Sequence, residues 1–391
     1  LYVVVFLRPL GLRLVGEIMA WIIGWDLILE MLMAGSVISK YWGVYLNDFM
    51  RLMGWNANTN LTFGSFHIDI APIIIVAFFT TLLVFGTKIG ARVDGAMTVL
   101  KIAIVFFVVI VGFFYVKASN FTPFIPPSQP ASTVEGSSAV TGVMTQPLWQ
   151  FATGMTPSVY GVPGILSGAA LVFFAFIGFD VVATASEETK NPHKNVPLGI
   201  GVGMLLIIVM YMLVAVVTTG MVSYADLAKQ DSPSLATAFE LVGADWAAKI
   251  ISFGIVLGLA TVVMVLLLGL TRIVFAMSRD GLLPRGLSKT GKHGTPAALQ
   301  IVVGAVVALV AAFFDIGVLS DMVNIGTLSA FTLVAISIPI MRKKRPDLPR
   351  AFKMPGSPWI PILIAVANFW LMLNLSVLTW IRFVVWLVVG V

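Results

Sequence analysis

Apolar stretches long enough to cross a bilayer recur along nearly the whole of this chain, and no other feature constrains its fold more. Read by hydropathy, spans fall at about 16 to 50, 70 to 87, 93 to 117, 163 to 186, 198 to 222, 245 to 275, 296 to 315, 319 to 341 and 357 to 378. A hydrocarbon core needs about 20 helical residues to cross it. Backbone groups in lipid find no water, so each span has to be a helix that satisfies its own N–H and C=O groups. With 59% hydrophobic and only 11% charged residues among 391, a water-soluble globule is excluded. The expected fold class is an all-α polytopic membrane protein, a multi-pass protein of the cell membrane in contact with lipid.

The few charges are sorted by loop. Lys88 and Arg92, Lys190 and Lys194, Arg279, Arg285, Lys289 and Lys292, and the run from Arg342 to Lys353 mark alternate loops as cytoplasmic by the positive-inside rule. The intervening loops carry acids, among them Asp226, Asp231, Asp245, Asp315 and Asp321. The connection from Ala118 to Pro163, rich in Pro, Ser, Thr and Gly, is then extracellular, and its Gly and Ser clusters read as flexible linker. The net charge of +6 is thus accounted for by membrane topology and calls for no nucleic acid partner. No cysteine is present and the three histidines, His67, His193 and His293, fall outside the spans. Thiolate or histidine metal centres, haem and cysteine nucleophiles are therefore closed, and no phosphate loop or nucleophile lies at a plausible depth. An enzyme is not expected, nor a cofactor.

Ionisable groups inside spans are costly and therefore informative. Asp26 and Glu30 lie four residues apart on one helical face, where two carboxylates repel. They call for a cation, a bound proton or an aqueous cavity, unless Asp26 borders a wet cavity and Glu30 makes a structural hydrogen bond. Lys101 lies about two turns into its span; it either snorkels to the interface or is desolvated and able to exchange a proton. The span from Gly164 has a weak middle, where Phe173, Phe174, Phe176 and Phe179 crowd Gly178 and Asp180 follows as a candidate N-cap for a second half-helix. A discontinuous helix exposes backbone donors and acceptors at mid-membrane, as transporters use to hold substrates; an ordinary helix with a glycine packing contact is the other reading.

Three motifs agree on one family. Phe-Phe-Ala-Phe-Ile-Gly-Phe-Asp180 with Glu187-Glu188-Thr-Lys190-Asn191-Pro192, Arg272-Ile-Val-Phe-Ala-Met-Ser-Arg279-Asp280-Gly281-Leu-Leu-Pro284, and Arg345-Pro346-Asp347-Leu348-Pro349-Arg350 resemble cationic amino acid transporter-like permeases of the amino acid-polyamine-organocation superfamily. The resemblance runs from about Gly16 to the end. It implies the LeuT-type five-plus-five inverted repeat, with residues 1–391 as a single transmembrane transporter domain carrying family helices three to twelve. The first two helices have no counterpart, Leu1 to Val15 is atypical, and the last apolar stretch is too short to span. Gly199-Ile-Gly-Val-Gly203 imitates the family's glycine-rich first helix but belongs to the seventh.

The resemblance also implies roles. Lys101 matches the lysine that stands where sodium-coupled relatives hold their ion, which makes it, with Glu30, a proton-coupling candidate. Phe174 matches the aromatic gate over the substrate, Ala175 and Ile177 the backbone around its ammonium group, and Met264 the position that limits side-chain size, with Thr261 one turn before it; Gly178, at the weak middle of the span, is a further substrate-binding candidate. A bulky apolar Met favours small or medium neutral amino acids over arginine. The expected function is proton-coupled symport of such amino acids. A proton-independent exchanger of amino acids or polyamines, and a non-transporting fragment that pairs with a small membrane partner, are the rivals.

Overall fold

The computed structural model describes residues 13–55, 59–63, 66–86, 90–133, 142–178, 191–230, 233–291, 295–344, 346 and 356–390. The helices are α1 (Arg13–Leu52), α2 (Ile70–Phe85), α3 (Gly90–Phe113), α4 (Leu148–Thr153), α5 (Gly161–Val172), α6 (Pro192–Met221), α7 (Tyr224–Ala228), α8 (Leu235–Leu241), α9 (Asp245–Arg279), α10 (Ala297–Phe313), α11 (Ile316–Lys344), α12 (Trp359–Leu373) and α13 (Val377–Gly390). Every apolar stretch of the sequence is met by one of them. Segments of α1, α3, α6, α9 and α11 are long and apolar enough to cross a membrane. Their outward faces carry exposed Phe113, Leu205 and Phe253, the surface that lipid covers. The protein is an all-α polytopic membrane protein.

The chain forms two compact units, the first comprising Leu1–Glu30, Pro126–Leu206 and Ser320–Val391, the second Met31–Ile125 and Ile207–Leu319. In the first, Trp25 stacks between Trp21 (5.2 Å) and Trp386 (4.5 Å), and its indole donates to the Trp386 carbonyl at 2.9 Å. These rings join α1 to α13. Gly390 lies directly against Trp21 and Trp25, leaving no room for a β-carbon. In the second, Val108 of α3, Met221 of α6, Phe239 of α8 and Ile251 of α9 form a buried core, and α10 packs on α2 where Gly304 receives Thr80.

Local chemistry sets the helix ends. α9 stops at a Schellman turn: Leu282 N–H donates to the Met277 carbonyl at 2.9 Å and Gly281 N–H to that of Ser278 at 3.2 Å, with Gly281 at φ 83°, a conformation glycine adopts freely. α6 opens on Pro192, whose fixed φ suits the first helical position, and the Asn191 carbonyl accepts from the N–H groups of Lys194 and Asn195.

One reading is corrected and one is left untouched, since the Gly and Ser cluster at 136–138 lies outside the described residues. Earlier in the chain β1 (Asn60–Phe63) pairs antiparallel with β2 (Phe66–Asp69), and the described parts of the connection after Ala118 pair β3 (Gln129–Pro130) with β4 (Ser158–Val159). The segment also docks Trp149 Nε1 on Asn374 Oδ1 at 2.9 Å. Paired backbone and buried Gln146 and Gln150 outweigh its turn-rich composition. Asp321, read as a loop acid, lies inside α11 and accepts from Thr379 Oγ1 at 3.0 Å.

Candidate functional site

The weak middle of the fourth apolar stretch breaks the helix. α5 runs only from Gly161 to Val172 and tightens into a 3₁₀ turn at Phe173–Phe176. Ile177 is extended (φ −68°, ψ 141°) and Gly178 has φ 118°, which only glycine takes without strain. The aromatic residues and the glycine thus give up the α-helical pattern for a tighter turn and extended backbone. Ile177 N–H returns to the Phe174 carbonyl at 3.1 Å. The proposed substrate residues Phe174, Ala175, Ile177 and Gly178 all lie in this turn, in the first unit. Asp180 and Glu187–Lys190 lie outside the described residues.

Helix α11 grips the break. Asn324 Nδ2 donates to the Leu171 carbonyl at 3.2 Å, and two turns later Phe331 meets Phe173 edge-to-face at 6.0 Å. The adjoining face of α11 turns to α1: Gly326 packs on Leu29 and Ser329 Oγ donates to Asp26 Oδ2 at 2.6 Å. Asp26 has 0% exposure and takes its hydrogen bond from a serine. Glu30 is buried as well. Neither Asn324 nor Ser329 stood out in the sequence, because uncharged polar residues in a span are common and cheap. The signal that could have found Asn324 is its spacing of two turns from Phe331 on one helical face.

In the second unit, Lys101 of α3 lies against Gly258 of α9, where a β-carbon would come within 3.2 Å of Lys101 Cγ. The Gly258 carbonyl accepts from Thr261 Oγ1 at 3.0 Å, so Lys101 and Thr261 meet through one glycine. Beside them is a cavity of about 170 Å³, walled by Lys101, Ile104, Val108, Val214, Leu235, Gly254 and Leu259 among others. Met264, one turn beyond Thr261, is buried.

A polytopic helical membrane protein with a span broken among aromatic residues points to a class, that of membrane transporters. The amino acid permease family model matches residues 4–391. The chain is 41% identical over 383 residues to the branched-chain amino acid permease BcaP of Bacillus subtilis, covering 96% of this chain and 75% of that protein. It is 36% identical to the methylthioribose transporter of the same organism, with the same coverage, and 33% identical to the vacuolar cationic amino acid transporter 4 of Arabidopsis thaliana, covering 85% of this chain and 51% of that one. The chain belongs to the amino acid permease family. It is an amino acid transporter, not an enzyme.

Proposed function

We propose that this permease carries neutral amino acids of small or medium size, branched aliphatic ones included, by proton symport at the cell membrane. The observation that carries the binding half of this reading is the break at Phe173–Gly178, where α5 gives way to a 3₁₀ turn and extended backbone beside Phe174 within an otherwise apolar span. Phe174 covers the substrate and Ala175, Ile177 and Gly178 offer backbone to its charged ends; Thr261 and the buried Met264, in the second unit, are proposed as substrate-binding residues on their own chemistry. Met264 has no group to neutralise a guanidinium, which an apolar wall disfavours. The branched-chain substrates named for the Bacillus relative agree with this choice.

For coupling, Lys101 is the exchanging group and Glu30 its candidate partner in the cycle. Lys101 sits six residues beyond Gly95, where the membrane-spanning part of α3 begins, about 9 Å at 1.5 Å per residue, and its methylenes lie on Gly258. That placement favours a desolvated lysine over one reaching back to the interface. Substrate and proton then bias one conformational equilibrium together, because each binds one state better than the other.

Uptake of labelled leucine and arginine into proteoliposomes, with and without an inward proton gradient, tests the reading, with methylthioribose as competitor. Gradient-driven leucine accumulation that Lys101→Ala uncouples, with little arginine uptake, is the expected result. Uptake indifferent to the gradient but dependent on internal amino acid would make the protein an exchanger. Inhibition by methylthioribose alone would reassign the substrate.

A further inference from the structure

The end of α5 gathers acceptors. The Phe173 N–H donates to the carbonyls of Ala169 and Leu171, and the negative end of the helix dipole collects there. One of these carbonyls, that of Leu171, is held by Asn324 Nδ2 at 3.2 Å. Asn324 has 0% exposure, and its Oδ1 has no hydrogen-bond partner among the described residues. The amide is planar, so fixing Nδ2 on Leu171 also fixes where Oδ1 points. Phe331, on the same face of α11, packs on Phe173 and holds the two elements in register. A buried carbonyl oxygen left without a donor is costly to fold, and here it is retained next to a carbonyl-rich helix end. The donor that suits such a place is a compact cation with several N–H groups, a primary ammonium.

We propose that Asn324 is a substrate-positioning residue: Nδ2 holds the broken span at Leu171, and Oδ1 accepts a hydrogen bond from the α-ammonium group of the transported amino acid. The assignment rests on the amino acid transport reading above and adds a hydrogen-bonding side chain to ammonium contacts otherwise made by backbone. It also explains why an amide serves here, since only a group with a donor at one end and an acceptor at the other meets both needs.

Binding of leucine and of the α-hydroxy acid with the same skeleton is measured on the full-length protein, together with the ligand-free melting temperature, for wild type, Asn324→Leu and Asn324→Asp. Wild type prefers leucine. Asn324→Leu, which keeps the shape and loses both functions, weakens leucine about 10- to 100-fold and the hydroxy acid much less. Asn324→Asp, which keeps an acceptor and adds charge, holds or raises the preference for leucine even where Asn324→Leu folds poorly. The proposal is overturned if Asn324→Leu binds leucine as wild type does, if both ligands weaken equally, or if Asn324→Asp loses the preference. Wild type that binds neither ligand removes the transport reading itself, a result visible before any variant is made.

Discussion

Ser329 of α11 donates its hydroxyl to Asp26 Oδ2 of α1 across 2.6 Å, and both side chains are buried. Asp26 Oδ1 has no partner among the described residues, so this bond is the carboxyl group's only observed hydrogen bond there. Ser329→Ala is expected to cost about 1 to 3 kcal/mol, the desolvation penalty of a buried polar group left unpaired. Asp26→Asn combined with Ser329→Ala should cost less than the sum of the two single changes, because the two residues share one interaction. Thermal unfolding of the three variants in detergent decides it; simple additivity would mean the contact carries little energy.

Two interhelical glycines should behave differently. A β-carbon at Gly304 meets Oγ1, Cγ2 and Cβ of Thr80 at once, and a β-branched side chain has few rotamers in which to retreat. Gly304→Ala is expected to destabilise by about 1 to 3 kcal/mol through overpacking. At Gly258 the obstacle is Lys101 Cγ at 3.2 Å, part of a long flexible chain. Gly258→Ala should therefore leave the melting temperature nearly unchanged while displacing Lys101 and altering the response of uptake to a proton gradient. Equal losses of melting temperature at the two sites would show that Lys101 is held rigidly.

Asp69, at the N-cap of α2, pairs with Lys40 Nζ at 3.7 Å, while the same ammonium donates to the Ala311 carbonyl at 3.0 Å. Burial pushes the Asp69 carboxyl above the ordinary aspartate value, and the Lys40 ammonium offsets this only in part. The folded protein then takes up this proton at a higher pH than the unfolded chain does. Acidification through the folded value toward about 3.9 adds stability from this site, and rising pH removes it. Asp69→Asn should match or exceed wild type in melting temperature at neutral pH, with the difference closing as the pH falls. A difference that widens on acidification would mean that the attraction of Lys40 outweighs burial.

Arg51, near the end of α1, grips Glu240 of α8 with two bonds of 2.8 Å and reaches Asp48 at 3.3 Å. The geometry is bidentate, but the arginine side chain is 56% exposed, so water and salt screen the pair. Glu240→Gln is expected to cost at most about 1 kcal/mol and to cost less still in high salt. A larger loss that ignores ionic strength would assign Arg51 a packing role through its methylenes.

The sequence by itself determined the spans and the class of protein, because hydrocarbon thickness and the need to pair every backbone group leave a long apolar run one solution. The stretch read as about 245 to 275 is α9, Asp245–Arg279, and the weak middle near Gly178 is where α5 gives way to a 3₁₀ turn. Short elements were hidden: α8, capped where Ser234 Oγ accepts from Thr237 N–H at 3.1 Å, is only Leu235–Leu241, too brief to show a period. Tertiary structure alone decided which polar groups meet. Asp26 lies 303 residues from Ser329, Leu171 lies 153 from Asn324, and Lys101 rests on Gly258. No local pattern encodes these pairings, since a polar side chain in a span is specified by what lies opposite it, and that is set only when helices distant in sequence pack face to face.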